Sequence, residues 1–188
     1  MKQFFDFFDN FDWHSVAVDK SHTMLLYGVI LSHKPKTILE IGIGSGVVTK
    51  TIQYAINYNQ MGKLTSVDSW HDWQGKEPDH IPQLREMGVN IISPIPEQEF
   101  VNSCNEKFDI IVVDGDHQRG GLWADKVLSL LNGGGFLFAH DVDLPQYKTL
   151  KNYITLSNQN NYFNHTFKEN SREDEWCHRG WLMINKTI

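Results

Sequence analysis

Short apolar segments alternate with amphipathic segments from about Ser21 to the end of the chain. Segments of strand type cover Thr37–Ile41, Lys63–Val67, Val89–Ser93, Phe108–Val113, Phe136–Ala139, Tyr162–Lys168 and Gly180–Asn185. Segments of helical type cover Ser21–Leu31, Val48–Ile56, Pro96–Asn105, Trp123–Leu131 and Pro145–Leu156. Strands that alternate with helices predict an α/β fold, in which a doubly wound, mostly parallel sheet of seven strands carries helices on both faces.

Three glycines follow the first of these strands at a spacing of two residues. Gly42, Gly44 and Gly46 come directly after an apolar strand that contains one acid, Glu40, and a helix follows them. Such a turn lets a nucleotide approach the backbone and the free N–H groups of the next helix. A dinucleotide fingerprint has its third glycine three residues after the second, where this chain has Val47. The spacing therefore favours a different nucleotide ligand.

Composition and charge narrow the class of protein. The 188 residues suit one domain, 1–188, and a net charge of −6 without a basic stripe argues against a nucleic-acid partner. Two widely separated cysteines indicate a reducing compartment, and we expect a cytoplasmic protein. Residues 1–20 are aromatic but interrupted by acids, so they predict neither a signal peptide nor a membrane span. This segment either packs on the domain or acts as a lid.

Polar side chains follow three of the predicted strands at the point where each strand ends, and Glu40 with the glycines closes the first strand. Asp68 follows the second strand, Asp114 and Asp116 the fourth, and His140 and Asp141 the fifth. In an open parallel sheet, ligands bind beyond the carboxyl ends of the strands, near the point where the strand order reverses. We therefore expect one crevice that gathers these residues and the glycine turn.

The motifs resemble those of class I S-adenosylmethionine (SAM)-dependent methyltransferases. The glycine turn is similar to their first motif, and Phe108–His117 and Leu130–Asp141 resemble the fourth- and fifth-strand motifs of small-molecule O-methyltransferases of the catechol and macrocin types and of the methyltransferase 24 family. Val67–Trp70 resembles the second-strand ending of the last group. The resemblance implies a Rossmann-like methyltransferase fold with an antiparallel last strand.

The resemblance also implies which residues hold the cofactor, SAM. The predicted cofactor-binding residues are Glu40, Gly42, Gly44, Gly46, Asp68, Ser69, Trp70, Ser93 and Asp114. Asp68 lies where an acid accepts hydrogen bonds from ribose hydroxyls, although a surface turn acid is the alternative. Trp70 either stacks near the adenine, lines the substrate pocket or packs in the domain. The family often has an acid for the adenine amino group after the third strand, where this chain has Ser93 followed by Pro94.

Metal-dependent members of the group hold a divalent cation, usually Mg²⁺, at positions that match Asp114, His140 and Asp141. His140 supplies nitrogen where those enzymes carry oxygen ligands, so metal binding and a metal-free site both stay open. Asp116 matches a proposed general base. His117 and His140 are candidates for a base or proton relay, or for an orienting hydrogen bond.

The resemblance implies methyl transfer from SAM to a small-molecule acceptor, with a hydroxyl group as the favoured target. We expect no membrane partner, and a homo-oligomer stays open. Two alternatives stay open. The first is an NAD-dependent oxidoreductase of Rossmann type, and the second is a non-catalytic protein that binds a cofactor or a partner on the same fold.

Overall fold

The computed structural model describes residues 1–13, 18, 20–71, 74–142, 148–167 and 180–188. The helices are α1 (Lys2–Asn10), α2 (Lys20–His33), α3 (Val47–Asn59), α4 (Ile81–Glu86), α5 (Glu97–Ser103), α6 (Ala124–Leu130) and α7 (Lys151–Gln159). The strands are β1 (Thr37–Ile41), β2 (Lys63–Val67), β3 (Asn90–Ile92), β4 (Phe108–Val113), β5 (Leu131–His140), β6 (Phe163–Phe167) and β7 (Trp181–Asn185). Two short 3₁₀ turns, Gly120–Trp123 and Lys148–Leu150, precede α6 and α7.

The strands form one seven-stranded sheet in the order β3-β2-β1-β4-β5-β7-β6. The pairs from β3 to β5 are parallel, and β7 runs antiparallel to both of its neighbours. The predicted fold class is therefore confirmed, including the antiparallel last strand. The order reverses between β1 and β4, which places the expected crevice beyond the ends of these two strands.

The central strands are buried on both faces, and successive residues point to opposite sides. In β4, Ile110 and Val112 pack in the cluster that includes residues of α2 and α3, whereas Ile111 and Val113 pack in the cluster that includes residues of α5 and α6. A strand with two apolar neighbourhoods has no polar face, which explains the mainly apolar run in the sequence.

The helix predicted over Pro145–Leu156 is observed as Lys151–Gln159, and Pro145 lies outside the described residues. Two other elements differ from the sequence prediction. Strand β5 begins at Leu131 and continues through three glycines that the sequence reads as a helix stop. Its glycine segment is held by main-chain hydrogen bonds, from Gly134 N–H to the Lys186 carbonyl and from Lys186 N–H to the Gly135 carbonyl. The sequence predicts a loop over Ser69–Pro82, which is rich in Trp, His, Asp, Gly and Pro, whereas helix α4 begins at Ile81 and buries Ile81 and Leu84. Contacts that are distant in sequence override the local preference in both cases.

Helix α1 extends the core on the α2 and α3 side. Phe4 and Phe8 are buried, and the Phe4 ring stacks on Tyr27 with ring centroids 3.6 Å apart and planes at 5°. The Phe4 and Phe7 rings also contact Tyr54 of α3. The described contacts of α1 thus support the packing alternative, while the lid over the site stays a prediction. None of the helices in the described parts of the chain is long and apolar enough to cross a membrane.

We predict that Phe4→Ala lowers the free energy of unfolding by about 3 kcal/mol, because it removes a buried, stacked ring. The matched control is Phe5→Ala, since the Phe5 side chain is 39% exposed on the same helix. Urea denaturation of both variants measures the difference. Equal, small effects would show that α1 contributes little to the stability of the domain.

Candidate active site

The glycine turn lies against the end of β4. A Cβ on Gly42 would lie 2.4 Å from the Asp114 carbonyl oxygen, which leaves no space for a side chain. The φ of Gly42 is +91°, a backbone conformation that residues with a side chain rarely adopt. Gly44, with a φ of +51°, has no heavy atom within 4 Å of the position that a Cβ would take. Gly46 precedes the first residue of α3. The turn therefore leaves open space beside its backbone, as a ligand that approaches closely requires.

Two side chains hold this turn in place. Asp68 Oδ2 accepts hydrogen bonds from the N–H groups of Ile43 (2.8 Å) and Gly44 (3.2 Å), and Asp68 Oδ1 accepts one from Trp70 N–H (2.7 Å). His80 Nε2 donates to the Gly44 carbonyl oxygen at 3.0 Å. Burial lowers the pKa of the His80 imidazole, which favours the neutral ring. Asp68 therefore positions the turn, and the predicted ribose contact would use the remaining acceptor capacity of its carboxylate.

Glu40 is fully buried beneath the turn and contacts two hydroxyl groups. Its carboxyl accepts hydrogen bonds from Thr49 Oγ1 in α3 at 2.9 and 3.0 Å and from Ser66 Oγ in β2 at 2.5 Å. Burial raises the pKa of Glu40 to about 8, more than these hydrogen bonds lower it, and the nearby charge of Asp114 adds to the rise. Glu40 thus joins β1 to β2 and α3, and the cofactor contact proposed for it stays a prediction.

Two acids and two histidines meet at the ends of β4 and β5. His140 Nδ1 lies 3.0 Å from Asp114 Oδ1 and 3.2 Å from Asp141 Oδ1, and His117 Nε2 lies 3.4 Å from Asp141 Oδ2. His140 and Asp141 are buried, and the backbone of Asp141 is left-handed with a φ of +61°. The Asp114, His140 and Asp141 set offers ligand atoms that all lie within 4.8 Å of one another. The structure therefore brings together the three residues that sequence reasoning grouped.

Asp116 lies next to this cluster but has its own partner. Its two carboxylate oxygens accept hydrogen bonds from the main-chain N–H of Arg119 (3.0 Å) and from Arg119 Nε (2.7 Å). The carboxylate therefore stabilises the turn before the 3₁₀ segment Gly120–Trp123. The role of general base suggested for Asp116 stays a prediction, and that role would compete with the ion pair.

The remaining predicted cofactor residues have different surroundings. Trp70 is 1% exposed and packs in the core cluster on the α2 and α3 side, so its ring is part of the hydrophobic core. Ser69 Oγ donates to Glu97 Oε1 at 3.3 Å. Ser93 Oγ is buried, and none of the described residues forms a hydrogen bond with it. Of the three, Ser69 and Ser93 offer hydroxyl groups near the ends of β2 and β3.

Sequence reasoning missed Glu97, Thr49 and Ser66 as partners of the site. Thr49 and Ser66 are hydroxyl residues within regular elements, and only the fold brings them to the buried Glu40. In the sequence, Glu97 lies in the first turn of a predicted helix, where acids are common because they interact favourably with the helix dipole. No local pattern marks such residues, because their roles depend on which strand ends lie beside them.

The sequence match decides the family. Residues 39–142, more than half of the chain, match the methyltransferase 24 family, which is described as a methyltransferase domain. The chain belongs to the methyltransferase 24 family. The matched range runs from β1 to the acid after β5, so it contains the glycine turn and the Asp114, His140 and Asp141 set. The protein is therefore a SAM-dependent methyltransferase.

Solved structures show the same fold at low identity. The O-methyltransferase TomG from Streptomyces achromogenes in complex with SAM is 15% identical, with a TM-score of 0.70 over 91% of this chain and 82% of TomG. An O-methyltransferase from Bacillus cereus in complex with SAH is 16% identical (TM-score 0.66; 90% and 82% of the two chains). An rRNA methylase from Streptococcus thermophilus is 14% identical, with a TM-score of 0.65 over 90% of this chain and 96% of the methylase. No protein of curated function matches this methyltransferase in sequence.

We predict that Glu40→Gln changes the pH dependence of stability. The pKa of Glu40 is about 8 in the folded protein, and its ordinary value is 4.5. Between these two pH values, the Glu40 carboxyl is protonated in the folded protein and ionised in the unfolded chain. The unfolded state then binds fewer protons, so stability falls as the pH rises from about 4.5 to about 8. Because the amide cannot ionise, the variant gains stability over the wild type at pH 8, on the order of a few kcal/mol, and the gain falls below about 1 kcal/mol near pH 5.

Urea denaturation at pH 5, 6.5 and 8 measures this difference, with Glu106→Gln as the control at an exposed carboxylate. Parallel stability curves for the wild type and Glu40→Gln would show that Glu40 is ionised in the folded protein.

Proposed function

We propose that this methyltransferase transfers the methyl group of SAM to a hydroxyl group of a small molecule, at the end of the crevice formed by Asp114, His140 and Asp141. One observation carries the proposal. A single imidazole nitrogen, His140 Nδ1, lies 3.0 and 3.2 Å from two carboxylates beyond the sheet edge that bears the glycine turn.

A divalent cation would compensate the negative charge of this cluster. Two carboxylates close to one nitrogen are costly to bury unless a proton or a cation compensates them. One ligand atom from each of Asp114, His140 and Asp141 lies within 4.8 Å of the other two, close enough for one cation to contact all three. The three residues therefore fit a divalent cation, and a nitrogen with two carboxylates suits a transition metal such as Mn²⁺ better than Mg²⁺.

A bound cation would lower the pKa of the acceptor hydroxyl and neutralise the oxygen that attacks. Asp114, His140 and Asp141 would hold it. We infer that His117, which is partly exposed beside Asp141, would receive the acceptor proton, while Asp116 is engaged by Arg119. Methyl transfer is a direct displacement at the sulfonium, so the main contribution of the chain is to align the oxygen with the methyl group.

The charge of the crevice supports SAM over a dinucleotide. Asp68, Glu97, Asp114 and Asp141 all lie at this edge, and carboxylates repel the pyrophosphate of NAD. The SAM molecule instead carries a positive sulfonium and an ammonium group. The same electrostatics, together with the net charge of −6, supports a small acceptor rather than a nucleic acid. The oligomeric state stays a prediction.

We predict that the wild type binds SAM and SAH in isothermal titration calorimetry and does not bind NAD. With labelled SAM, we expect methyl transfer to one or more members of a panel of hydroxylated aromatic and sugar compounds. Asp141→Asn lowers the rate at least about 100-fold, since it removes one cluster charge, while SAH affinity stays within about threefold. Asparagine suits the left-handed backbone at this position.

Asp125→Asn, at an exposed site on α6, is the matched control and keeps the wild-type rate. Binding of NAD without SAM would contradict the cofactor assignment. Full activity of Asp141→Asn would contradict the role of the cluster and leave the cofactor assignment intact.

We predict that the metal-stripped protein binds Mn²⁺ and Co²⁺ more tightly than Mg²⁺, because one ligand is nitrogen. Calorimetry with each cation alone, and the visible spectrum of bound Co²⁺, measure this preference without any acceptor. Asp141→Asn abolishes the binding, whereas Asp125→Asn leaves it unchanged. A preference for Mg²⁺ would show that His140 is not a ligand, and the absence of cation binding would show that imidazolium compensates the cluster.

A further inference from the structure

The turn after β4 carries a cationic side chain that the mechanism described above does not use. Arg119 follows His117 by two residues, on the segment that leaves the carboxyl end of β4. Two residues span at most about 7 Å of chain, so the main chain of Arg119 stays close to the group that we infer receives the acceptor proton. The Arg119 side chain is 69% exposed. It therefore lies at the rim of the acceptor end of the crevice.

The guanidinium group of Arg119 is bound on one side. Asp116 Oδ1 accepts a hydrogen bond from the main-chain N–H of Arg119 at 3.0 Å, and Asp116 Oδ2 accepts one from Arg119 Nε at 2.7 Å. Within the described parts of the chain, no group accepts a hydrogen bond from Nη1 or Nη2 of this guanidinium. Asp116 thus restricts the direction of the side chain and leaves two coplanar nitrogens as donors for another group.

The turn that carries Arg119 is fixed to the segment before and within α7. The Gln118 carbonyl oxygen accepts a hydrogen bond from Thr149 Oγ1 at 2.9 Å, and the Gly121 carbonyl oxygen accepts one from Asn152 Nδ2 at 2.9 Å. A Cβ on Gly121 would overlap the Thr149 carbonyl oxygen, so the two segments are in direct contact. A donor group on a fixed turn loses little conformational freedom when a ligand binds, which favours recognition.

The surroundings of Arg119 suit an organic anion. Leu122, whose main-chain N–H donates to the Arg119 carbonyl oxygen at 2.7 Å, is 63% exposed and offers apolar contact to a carbon skeleton. A carboxylate matches two coplanar N–H donors with two parallel hydrogen bonds. The acids deeper in the crevice repel an anion, so a charged group of the acceptor is favoured at the rim, where this guanidinium lies.

We propose that Arg119 binds a carboxylate group of the acceptor, so that the substrates of this methyltransferase are hydroxylated carboxylic acids. This inference rests on the proposed function, which is methyl transfer to a hydroxyl group of a small molecule. The hydroxyl group of the acceptor would lie at the cluster of Asp114, His140 and Asp141, and its carboxylate at the rim. Arg119 is a specificity-determining residue in this arrangement, because it contacts the acceptor and not the oxygen that is methylated.

The test uses pairs of acceptors that share their hydroxyl groups and differ in charge. The pairs are ortho-dihydroxybenzoate with its amide and ortho-dihydroxycinnamate with its amide. We expect the wild type to have a KM for each acid at least about tenfold below that for the amide, and the difference to shrink at high ionic strength. The comparison uses KM because the acidity of the hydroxyl groups, which differs within a pair, affects kcat. Calorimetry with the SAH-bound protein measures the same preference as binding alone.

Arg119→Gln removes the charge and the paired donors. We expect the KM for the acids to rise at least about tenfold and the KM for the amides to stay within about threefold. Arg119→Lys keeps the charge without the planar pair of donors, so we expect an intermediate preference. Arg85→Gln is the matched control, because Arg85 is also an exposed arginine paired with a carboxylate, that of Glu77, and this variant keeps the wild-type preference. Thermal unfolding of each variant checks that it is folded.

Three results would overturn the proposal: a wild type that does not prefer the acids, an Arg119→Gln variant that keeps the full preference, or an equal loss for acids and amides in that variant. An equal loss is what a purely structural ion pair with Asp116 would produce. Methyl transfer to neutral hydroxyl compounds alone, without binding of any acid, would also overturn it and leave the proposed function intact. Absence of methyl transfer to every acceptor, charged or neutral, would contradict the proposed function itself.

Discussion

The close approach of Gly42 to the Asp114 carbonyl is the constraint on which the rest of the site depends. The turn after β1 crosses the end of β4 with no space for a side chain, so the two strand ends and the residues that follow them lie side by side. This contact lies at the reversal of strand order, where a doubly wound sheet opens a crevice. The glycine backbone, the acid at the end of β4 and the cluster beyond it are therefore parts of one surface.

Around this contact, the acids have different tasks because their surroundings differ. Asp68 binds the N–H groups of the turn. Glu40 is buried beside two hydroxyl groups, and burial raises the pKa of its carboxyl. Asp114 and Asp141 share the imidazole of His140. Carboxylates that look equivalent in sequence are thus divided between holding the turn, joining the elements beneath it and forming the cluster at the acceptor end. This division follows from the burial and the hydrogen-bond donors at each position.

Sequence patterns predicted the strands best where the strands are buried. The predicted bounds of β1, β2 and β4 agree with the structure residue for residue, because apolar runs bounded by charged or glycine residues leave little choice. The predicted start of β5 at Phe136 was wrong, because main-chain hydrogen bonds with Lys186 keep the preceding glycine segment in the sheet. Helix α4 was missed because it is short and begins beside a proline, so local composition resembled a loop.

The sequence by itself determined the order of the elements, the glycine turn and the presence of acids at the strand ends, since these depend on residue type and spacing along the chain. The tertiary structure decided which partner each acid has. It placed the Asp68 carboxylate on the turn, engaged Asp116 with Arg119, and brought Glu97 from a helix start to the ends of β2 and β4. Such pairings join residues that are close only after the sheet has formed, so the turn could be predicted from sequence and its neighbours could not.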